Sequence, residues 1–270
     1  MAIANKCPPM SELDTTQKAA QEQFGRQSQR YAKGHLLEDV QDVAAAVALC
    51  PALPQAADVL DVATGAGFTG LYLASLGHRV ILADLARPML DRAGEKALER
   101  GLKVELRQHA AELLPYPDHS FDLVTCRVAA HHFSSPARFV MEVSRVLRPG
   151  GYFLLIDGSI PDDEAEVEQW LHNVEKWRDP SHARFLPPSA WHALCAEAGL
   201  PVVSSELQPL RQPDLEWYFN TANTSPENRT LVLQSVETAS AHVRQVMQLD
   251  SVDGKIVWVW QRLTLIARKH

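Results

Sequence analysis

The chain has 270 residues, a formal net charge of −7 and a pI of about 5.9, and 46% of its residues are hydrophobic. These values are typical of a globular protein with one large α/β domain or two smaller domains. The acidic balance argues against nucleic-acid binding, which needs clustered Lys and Arg, and no apolar stretch is long enough to span a bilayer.

The first fifty residues predict helices that precede the main domain. Residues 13–30 predict a weakly amphipathic helix, and residues 35–50 predict a second helix that ends before Pro51. We therefore divide the chain into an N-terminal helical segment, 1–50, and a main domain, 51–270.

From residue 58 onward, predicted strands alternate with predicted helices. The strands are expected at 58–62, 79–84, 103–108, 121–128 and 152–158. The helices between them are expected at 69–76, 88–100 and 136–148. This alternation indicates a parallel sheet with helices on both faces.

The rest of the chain, from about residue 160, predicts a different arrangement. Helices are expected at 162–178, 188–198, 213–222 and 226–247, and strands at 201–208 and 255–269. The Asp253-Gly254 pair is a turn signal immediately before the last strand. Pairing of these two strands predicts a Rossmann-like, doubly wound sheet of seven strands, mostly parallel, with an antiparallel last strand. The helical stretches at about 161–195 and 211–250 then form an insertion able to cover a pocket.

The strongest chemical signal is the segment VLDVATGAGFTG, residues 59–70, in which a strand runs through a glycine-rich turn into a helix. Gly65 and Gly67 let the backbone approach a ligand closely, and the helix N-terminus attracts an anionic group. The same pattern of glycines also marks dinucleotide sites. On its own it therefore leaves an NAD(P)-dependent oxidoreductase open.

Two acidic residues narrow the choice of ligand. Asp84 ends the second strand, about 20 residues after the turn, where a ribose hydroxyl pair is usually held. Asp61 precedes the glycines, and a carboxylate there would repel pyrophosphate but suits an ammonium or sulfonium group. A cation, a carboxylate and a ribose in one ligand describe S-adenosylmethionine.

Five sequence blocks, in this order and spacing, resemble the class I S-adenosylmethionine-dependent methyltransferases. The closest branch is the ubiquinone/menaquinone C-methyltransferase-like branch (methyltransferase type 11). The blocks are VLDVATGAG (59–67), ILADLARPML (81–90), AAELLPYPDHSFDLV (110–124), CRVAAHHF (126–133) and VSRVLRPGGYFLLID (143–157). The resemblance implies transfer of a methyl group from S-adenosylmethionine, by direct displacement, to an O, N or C atom of a small molecule.

The resemblance also implies roles for individual positions. Asp61 would support the turn near the methionine ammonium, and Asp84 would accept both ribose hydroxyls. The other implied cofactor-binding residues are Tyr31, Ala63, Thr64, Gly65, Gly67, Leu85, Met89, Ala110, Ala111, Glu112 and Arg127. Two positions depart from the family pattern: Ala63 replaces the usual Gly, and Ala110 replaces an Asp that commonly accepts the adenine amino group. Adenine recognition would then rely on backbone groups or on Glu112.

The segment FGRQSQRYAKGH, residues 24–35, resembles the N-terminal lid of this family, which makes residues 1–50 a helical lid. Tyr31 is the leading lid residue, with Gln27 and His35 beside it, although Phe24 and Tyr31 could instead be core residues. The main domain then comprises a cofactor-binding half, 51–160, and the acceptor-binding helical insertion.

His131 and His132 follow the fourth strand and are the candidate catalytic residues. An imidazole there could deprotonate the methyl acceptor near neutral pH. Alternatively, one histidine packs under a helix and the other lines the pocket, since in-line orientation of an activated sulfonium can suffice without a base. Arg127 could pair with an acidic substrate or the cofactor carboxylate, or form a structural pair with a nearby acid.

Aromatic residues crowd the chain after residue 160 and favour an apolar or aromatic acceptor, although any one of them could belong to the core. They are Trp170, Trp177, Phe185, Trp191, Trp217, Tyr218 and Phe219. Trp258 and Trp260 share one face of the last strand and are assigned to packing.

Four scattered cysteines (Cys7, Cys50, Cys126 and Cys195) form no Cys-x-x-Cys pair, so we expect no metal site, no disulfide framework and a cytoplasmic protein. The expected partner is a small-molecule methyl acceptor, without nucleic acid or a membrane span. The sequence leaves the oligomeric state open, with a homodimer as one option. Besides the oxidoreductase, which would lack a Tyr-x-x-x-Lys pair here, a non-enzymatic module that binds S-adenosylmethionine remains as an alternative.

Overall fold

The structure is a computed structural model that describes residues 13–28 and 36–270. Tyr31, His35 and Cys7 lie outside these ranges. The strands are β1 (Asp58–Val62), β2 (Arg79–Asp84), β3 (Val104–Gln108), β4 (Phe121–Arg127), β5 (Leu147–Ser159), β6 (Val202–Arg211), β7 (Asp250–Val252), β8 (Lys255–Val257) and β9 (Val259–Arg268).

The helices flank the sheet or belong to the last third of the chain. They are α1 (Thr15–Gln27), α2 (Gln41–Ala48), α3 (Phe68–Ser75), α4 (Arg87–Glu99), α5 (Pro136–Val146), α6 (Ala165–Arg178), α7 (Pro188–Glu197), α8 (Leu215–Ala222), α9 (Pro226–Glu237) and α10 (Ala241–Val246). Short 3₁₀ turns lie at Leu36–Glu38 and Ala130–His132. Among these helices, none has the length and apolar character needed to cross a membrane.

Seven strands form one sheet in the order β3-β2-β1-β4-β5-β9-β6. The first five strands of the chain pair in parallel, and β9 runs antiparallel to both β5 and β6. Leu265 of β9, for example, is opposite Leu155 on one side and Ser205 on the other. The predicted fold class, mostly parallel with an antiparallel last strand, is confirmed.

The sheet is buried on both faces, which is why its central strands read as continuous apolar runs. Alternate residues of β1 divide between the two faces: Leu60 packs in the cluster that contains Phe139 of α5 and Trp191 of α7. Val59 packs in the opposite cluster, with Leu71 of α3 and side chains of α2 and α4. The carboxyl ends of the strands are thereby held at one rigid edge.

A third cluster lies in the last third of the chain, where α6, α8, α9 and α10 pack together. Tyr218, Phe219 and Trp258 are buried in it, and Trp191 is buried in the sheet core. These four aromatic residues therefore belong to the core. The packing role predicted for Trp258 is confirmed, whereas Trp260 is only partly buried and lines a cavity described below.

Three predicted elements differ from the structure in their bounds. The helix predicted at 35–50 begins only at Gln41, after the 3₁₀ turn. The helix predicted at 226–247 divides into α9 and α10, since Ser240 caps the second helix by accepting the Val243 N–H. The strand predicted at 255–269 divides at Trp258 into β8 and β9.

The Asp253-Gly254 turn joins β7 to β8 in a separate hairpin, and both residues have positive φ, 50° and 74°. This geometry is that of a tight hairpin turn. In the seven-stranded sheet, β5 begins at Leu147, five positions before the predicted start, because Leu147 pairs with Phe121 ahead of an irregularity in the ladder.

Candidate active site

A cleft opens at the carboxyl ends of β1, β2 and β4 and is covered by α1. We call it the first cleft. Many of the predicted site residues line it: Ala63, Thr64, Gly65, Asp84, Leu85, Met89, Ala111, Glu112, Arg127 and His132. Helix α1 contributes Gln17, Ala20, Gln21 and Phe24. Asp61, Gly67, Ala110 and His131 do not line this cleft, and Tyr31 lies outside the described residues.

Asp61 lies beneath the glycine turn and organises it. Its Oδ2 accepts the Thr64 hydroxyl at 2.5 Å and the Gly70 N–H at 3.0 Å, and its Oδ1 accepts the Thr125 hydroxyl at 2.6 Å. The side chain is almost fully buried, and burial raises the pKa of its carboxyl. Asp61 therefore holds the turn in place and does not itself line the first cleft.

Asp84 faces the first cleft at the end of β2. Its Oδ2 accepts the Gly65 N–H and its Oδ1 accepts the Ala86 N–H, each at 2.8 Å. Because an ionised carboxylate offers about four acceptor sites, each oxygen keeps one for a ligand hydroxyl. Desolvation by burial raises the pKa of Asp84 to about 6.

The glycines of the turn serve different purposes. Gly65 has φ +55°, and a Cβ there would meet nothing within 4 Å, so its open side faces the cleft where a ligand would lie. Gly70 allows α3 to lie close to the sheet, since a Cβ there would come within 2.1 Å of Leu82 Cδ2. Gly67 is buried behind the turn, and its Cβ would approach that of Ala93 to 2.9 Å.

Two non-glycine residues at the cleft adopt the left-handed backbone conformation. Ala63 has φ +52°, a conformation that glycine adopts more readily. This explains the glycine that usually occupies this position in the methyltransferase family that the sequence resembles. Val128, directly after β4, also has φ +52°, a conformation that is strained for a β-branched residue. Strain of this kind clusters at functional sites, and Val128 stands at the junction of two cavities.

Glu112, on the opposite wall of the cleft, binds other protein groups. Its Oε1 accepts both the N–H and the hydroxyl of Ser134, at 2.9 and 3.0 Å. Its Oε2 accepts the Gln17 side-chain amide at 2.9 Å, which ties α1 to the domain. Beside it, the Ala110 carbonyl lies 2.9 Å from Nδ1 of His109.

Arg127 forms part of the wall, but its guanidinium binds the first turn of α2 and the segment before it. It lies 3.0 Å from the Asp42 carboxylate and donates to the backbone carbonyls of Leu37, at 2.8 Å, and Asp39, at 2.6 Å. The sequence left two roles open for Arg127, ligand binding or an ion pair within the protein. The structure shows the ion pair, with Asp42.

A second, larger cavity of about 630 Å³ adjoins the first cleft, and we call it the second cavity. Its aromatic lining comes from Phe24, Phe185, Trp217 and Trp260. Its polar lining includes His131, Arg178, Asp179, Thr221, Gln261 and Arg262. The two cavities share the residues Phe24, Leu37, Arg127, Val128 and His132.

His132 lies where the two cavities meet and His131 lines the second cavity beside it, and each histidine is connected to a carboxylate. Nδ1 of His131 lies 2.6 Å from Asp157 Oδ1, and its backbone N–H donates to Asp157 Oδ2 at 2.8 Å. Nδ1 of His132 lies 3.1 Å from the Ser181 hydroxyl, which donates to Asp179 at 2.6 Å.

The two histidines differ in proton affinity. Burial lowers the pKa of His131, but the charge and hydrogen bond of Asp157 outweigh burial and raise it above its ordinary value. Burial and the neighbouring His131 lower the pKa of His132 to about 4. His132 is therefore neutral at pH 7, whereas Asp157 makes protonation of His131 more favourable than that of a free imidazole.

Sequence reasoning missed several of these residues. Asp157 ends the apolar run of β5, and residues at the carboxyl ends of parallel strands face the crevice, so the signal was present. Asp179 and Ser181 lie in the loop between α6 and α7, which has no pattern that would mark them. The amides of Gln17 and Gln21 reach the cleft only because α1 packs across it.

Within residues 13–28 and 36–270, no group of His, Cys, Asp or Glu side chains is arranged to hold a metal ion. Cys50, Cys126 and Cys195 are buried, and no disulfide joins them. Burial raises the pKa of each of these thiols, which disfavours the reactive thiolate.

The methyltransferase domain family matches residues 60–155. A protein from Bacillus halodurans C-125, described as a putative methyltransferase, has a crystal structure that aligns with a TM-score of 0.79 and 32% identity over 85% of this chain and 99% of its own. The uncharacterized methyltransferase YcgJ of Bacillus subtilis is 42% identical over 50% of this chain and 54% of its own length. The demethylmenaquinone methyltransferase of Deinococcus radiodurans is 34% identical over 57% of this chain and 66% of its own length.

The chain thus spans about half the length of YcgJ, and almost all of the Bacillus halodurans protein. The glycine pattern alone was compatible with a methyltransferase or with a dinucleotide-dependent oxidoreductase. Because the glycine turn falls within the matched methyltransferase domain, the match excludes the oxidoreductase. The fold, the acidic pair at the turn and these matches agree with one another. The chain belongs to the S-adenosylmethionine-dependent methyltransferases.

Proposed function

We propose that this protein transfers a methyl group from S-adenosylmethionine in the first cleft to a small molecule in the second cavity. The observation that carries the proposal is the shared wall of the two cavities, formed by Phe24, Val128 and His132 among others. A donor and an acceptor bound on either side of that junction would meet without crossing bulk water. Such placement is the main requirement of a direct displacement.

The residues that line the first cleft suit the chemistry of the cofactor. Asp84 retains acceptor sites for a ribose diol, and the open side of Gly65 leaves room for the nucleoside. Leu85, Met89 and Ala111 form an apolar wall suited to adenine. When bound, S-adenosylmethionine would supply a methyl group already activated by its positive sulfur.

Helix α1 is the proposed lid of the first cleft. The side-chain amide of Gln21 donates to the Leu85 carbonyl at 3.1 Å, and those of Gln23 and Gln27 donate to the Ala222 carbonyl at 3.1 and 2.8 Å. The helix therefore bridges the cofactor-binding half and the helical insertion. We propose that it closes over both ligands and excludes water from the reacting atoms.

The second cavity fits an aromatic or apolar acceptor. The rings of Trp217 and Trp260 lie 6.0 Å apart between centroids, and Phe185 packs 5.0 Å from the His131 ring. These side chains come from the insertion predicted to bind the acceptor and from β9. His131 and His132 are the candidates to receive a proton from the acceptor, and Arg127 shapes the wall between the cavities.

Calorimetric titration of the purified protein tests the cofactor half of the proposal. We expect S-adenosylhomocysteine to bind and NADH not to bind. We also expect radiolabelled methyl groups to pass from S-adenosylmethionine to members of a panel of aromatic acceptors. Cofactor binding without any transfer would favour the non-enzymatic binding module, and NADH binding in place of S-adenosylhomocysteine would overturn the proposal.

Cofactor affinity is expected to fall as pH drops through about 6, where the Asp84 carboxyl takes up a proton. A protonated carboxyl can no longer accept two ribose hydroxyls, so affinity should decrease by up to about tenfold per pH unit below that value. Titrations with S-adenosylhomocysteine between about pH 5 and pH 7.5 measure this dependence.

The stability of the unliganded protein should respond in the opposite direction. A raised carboxyl pKa means that the folded state holds the proton more tightly, so this group destabilises the fold above about pH 6. That cost diminishes as pH falls towards the unperturbed pKa of the carboxyl.

An Asp84→Asn variant is the control for the affinity titration. Its affinity for S-adenosylhomocysteine should depend less on pH. The same dependence of affinity on pH in this variant would assign the titration to another group.

A further inference from the structure

We infer that the methyl acceptor is a phenol whose hydroxyl proton passes to Nε2 of His131, and that Asp157 is the positioning residue for this histidine. The inference rests on the proposed function, since it assigns chemistry to the acceptor side of the same site. It goes further by dividing the roles of the two histidines and by naming the reacting group.

Asp157 fixes the orientation of the His131 ring. The carboxylate is buried at the end of β5 and accepts three hydrogen bonds, from Nδ1 and the backbone N–H of His131 and from the Gly158 N–H. Nδ1 must carry the proton in order to donate to this carboxylate, so Nε2 of neutral His131 is the unprotonated nitrogen. Among the described residues Nε2 has no hydrogen-bond partner, and His131 lines the second cavity.

His132 has the same tautomer as His131 but binds an additional proton less readily. The single hydrogen of the Ser181 hydroxyl is directed to Asp179, so the hydroxyl oxygen accepts from Nδ1–H of His132. This connection passes through a neutral hydroxyl, and His131 lies beside it with ring centroids 4.2 Å apart. A proton on His132 would therefore be destabilised, and this histidine can accept a hydrogen bond from the acceptor without holding its proton.

The groups around His131 favour an imidazolium there. Asp157 faces it from β5, and Glu175 and Asp179 contribute negative charge from α6 and the loop after it. The positive or titratable neighbours are Arg178, His132 and His182, and burial together with the nearby histidines lowers the pKa of His182 and keeps it neutral. Arg178 is itself paired with Glu175 at 3.1 Å. The net surroundings of His131 are negative.

A phenol matches this site better than other acceptors. Its hydroxyl has a pKa of about 10, within reach of an imidazole, whereas aliphatic hydroxyls hold their protons far more tightly. Its ring suits the space beside Phe185, Trp217 and Trp260. A neutral amine, by contrast, carries a nucleophilic electron pair without first losing a proton, so its attack does not need a buried His–Asp pair.

The reaction balances with the residues and ligands named. As the phenol oxygen forms its bond to the methyl carbon, the O–H proton moves to Nε2 of His131. The bond between that carbon and sulfur breaks, and its electron pair stays on sulfur, which becomes a neutral thioether. The positive charge lost at sulfur is gained by the imidazolium, where Asp157 stabilises it.

The dye 4-nitrophenol tests this inference, because its phenolate is yellow and its phenol is colourless. With the protein saturated in S-adenosylhomocysteine, we expect the pKa of bound dye to fall by about 1–3 units, since its anion pairs with the His131 imidazolium. His131→Gln and Asp157→Asn should abolish the shift, and His132→Gln should retain it. Asparagine keeps an acceptor for the backbone N–H groups. If Asp157 had only a structural role, the dye bound to Asp157→Asn would therefore show the same pKa shift as the dye bound to wild type.

The ether 4-nitroanisole, which has the same ring without the proton, is the control for binding. It should bind wild type and the His131→Gln and Asp157→Asn variants alike. Dye that binds without a spectral shift, an equal shift in His131→Gln, or no binding of dye to wild type would each overturn the inference. Failure of S-adenosylhomocysteine to bind wild type, measured separately by calorimetry, would instead overturn the proposed function.

Discussion

Replacing Asp84 by alanine is expected to weaken the binding of S-adenosylhomocysteine by about 1–3 kcal/mol, a factor of roughly 5 to 150. The variant would lose the charge-assisted hydrogen bonds that we propose between Asp84 and the ribose hydroxyls. It also leaves the N–H groups of Gly65 and Ala86 without the acceptor that now orients them. Calorimetric titration at about pH 7.5, where the carboxylate is ionised, gives the affinity directly.

Asp91→Ala is the matched control for this experiment. Asp91 is an exposed carboxylate of α4 whose ion pair is with Arg87 on the same helix, so its loss should leave affinity unchanged. An Asp84→Ala variant that binds as tightly as wild type would mean that the ribose lies elsewhere and that the first cleft is not the cofactor site.

Asp61→Ala is expected to reduce the free energy of unfolding by about 2–4 kcal/mol, because buried donors without an acceptor each cost about 1–3 kcal/mol. The three donors are the Gly70 N–H and the hydroxyls of Thr64 and Thr125. Rotation of the hydroxyls and removal of a buried carboxylate whose pKa is raised offset part of the loss. Urea denaturation followed by circular dichroism measures the change.

Asp118→Ala provides the comparison for Asp61. Its side chain is 65% exposed and forms an ion pair with Arg145, so we expect its removal to cost less than about 1 kcal/mol. Equal urea midpoints for Asp61→Ala and wild type would show that the turn between β1 and α3 does not depend on the buried carboxylate.

The alternating part of the fold could be predicted from the sequence because its signals are local. The predicted bounds of β1 and β2 match the structure, since each is a short apolar run that ends at a polar residue or a turn. Their parallel pairing follows from the helix that connects them, because parallel strands need a long crossover connection. Asp84 could be placed at the cleft for the same reason, as the last residue of β2.

The remaining features depend on contacts between distant segments. Nothing near Trp260 in the sequence distinguishes it from Trp258. Trp260 nevertheless lines the second cavity, whereas Trp258 is buried against the helical insertion. The engagement of Arg127 by Asp42 depends on how the segment before α2 folds back. The hydrogen bonds between His132, Ser181 and Asp179 likewise require the loop after α6 to reach the end of β4.

The position of β9 constrains the order in which the molecule can assemble. Residues 259–268 fill the gap between β5 and β6, which do not touch each other directly. During synthesis, the edges of β5 and β6 that pair with β9 therefore remain without hydrogen-bond partners until these ten residues have left the ribosome. Contacts this distant in sequence slow folding and leave unpaired edges exposed to aggregation. Chaperone dependence should consequently be greatest in the interval between emergence of β6 and emergence of β9.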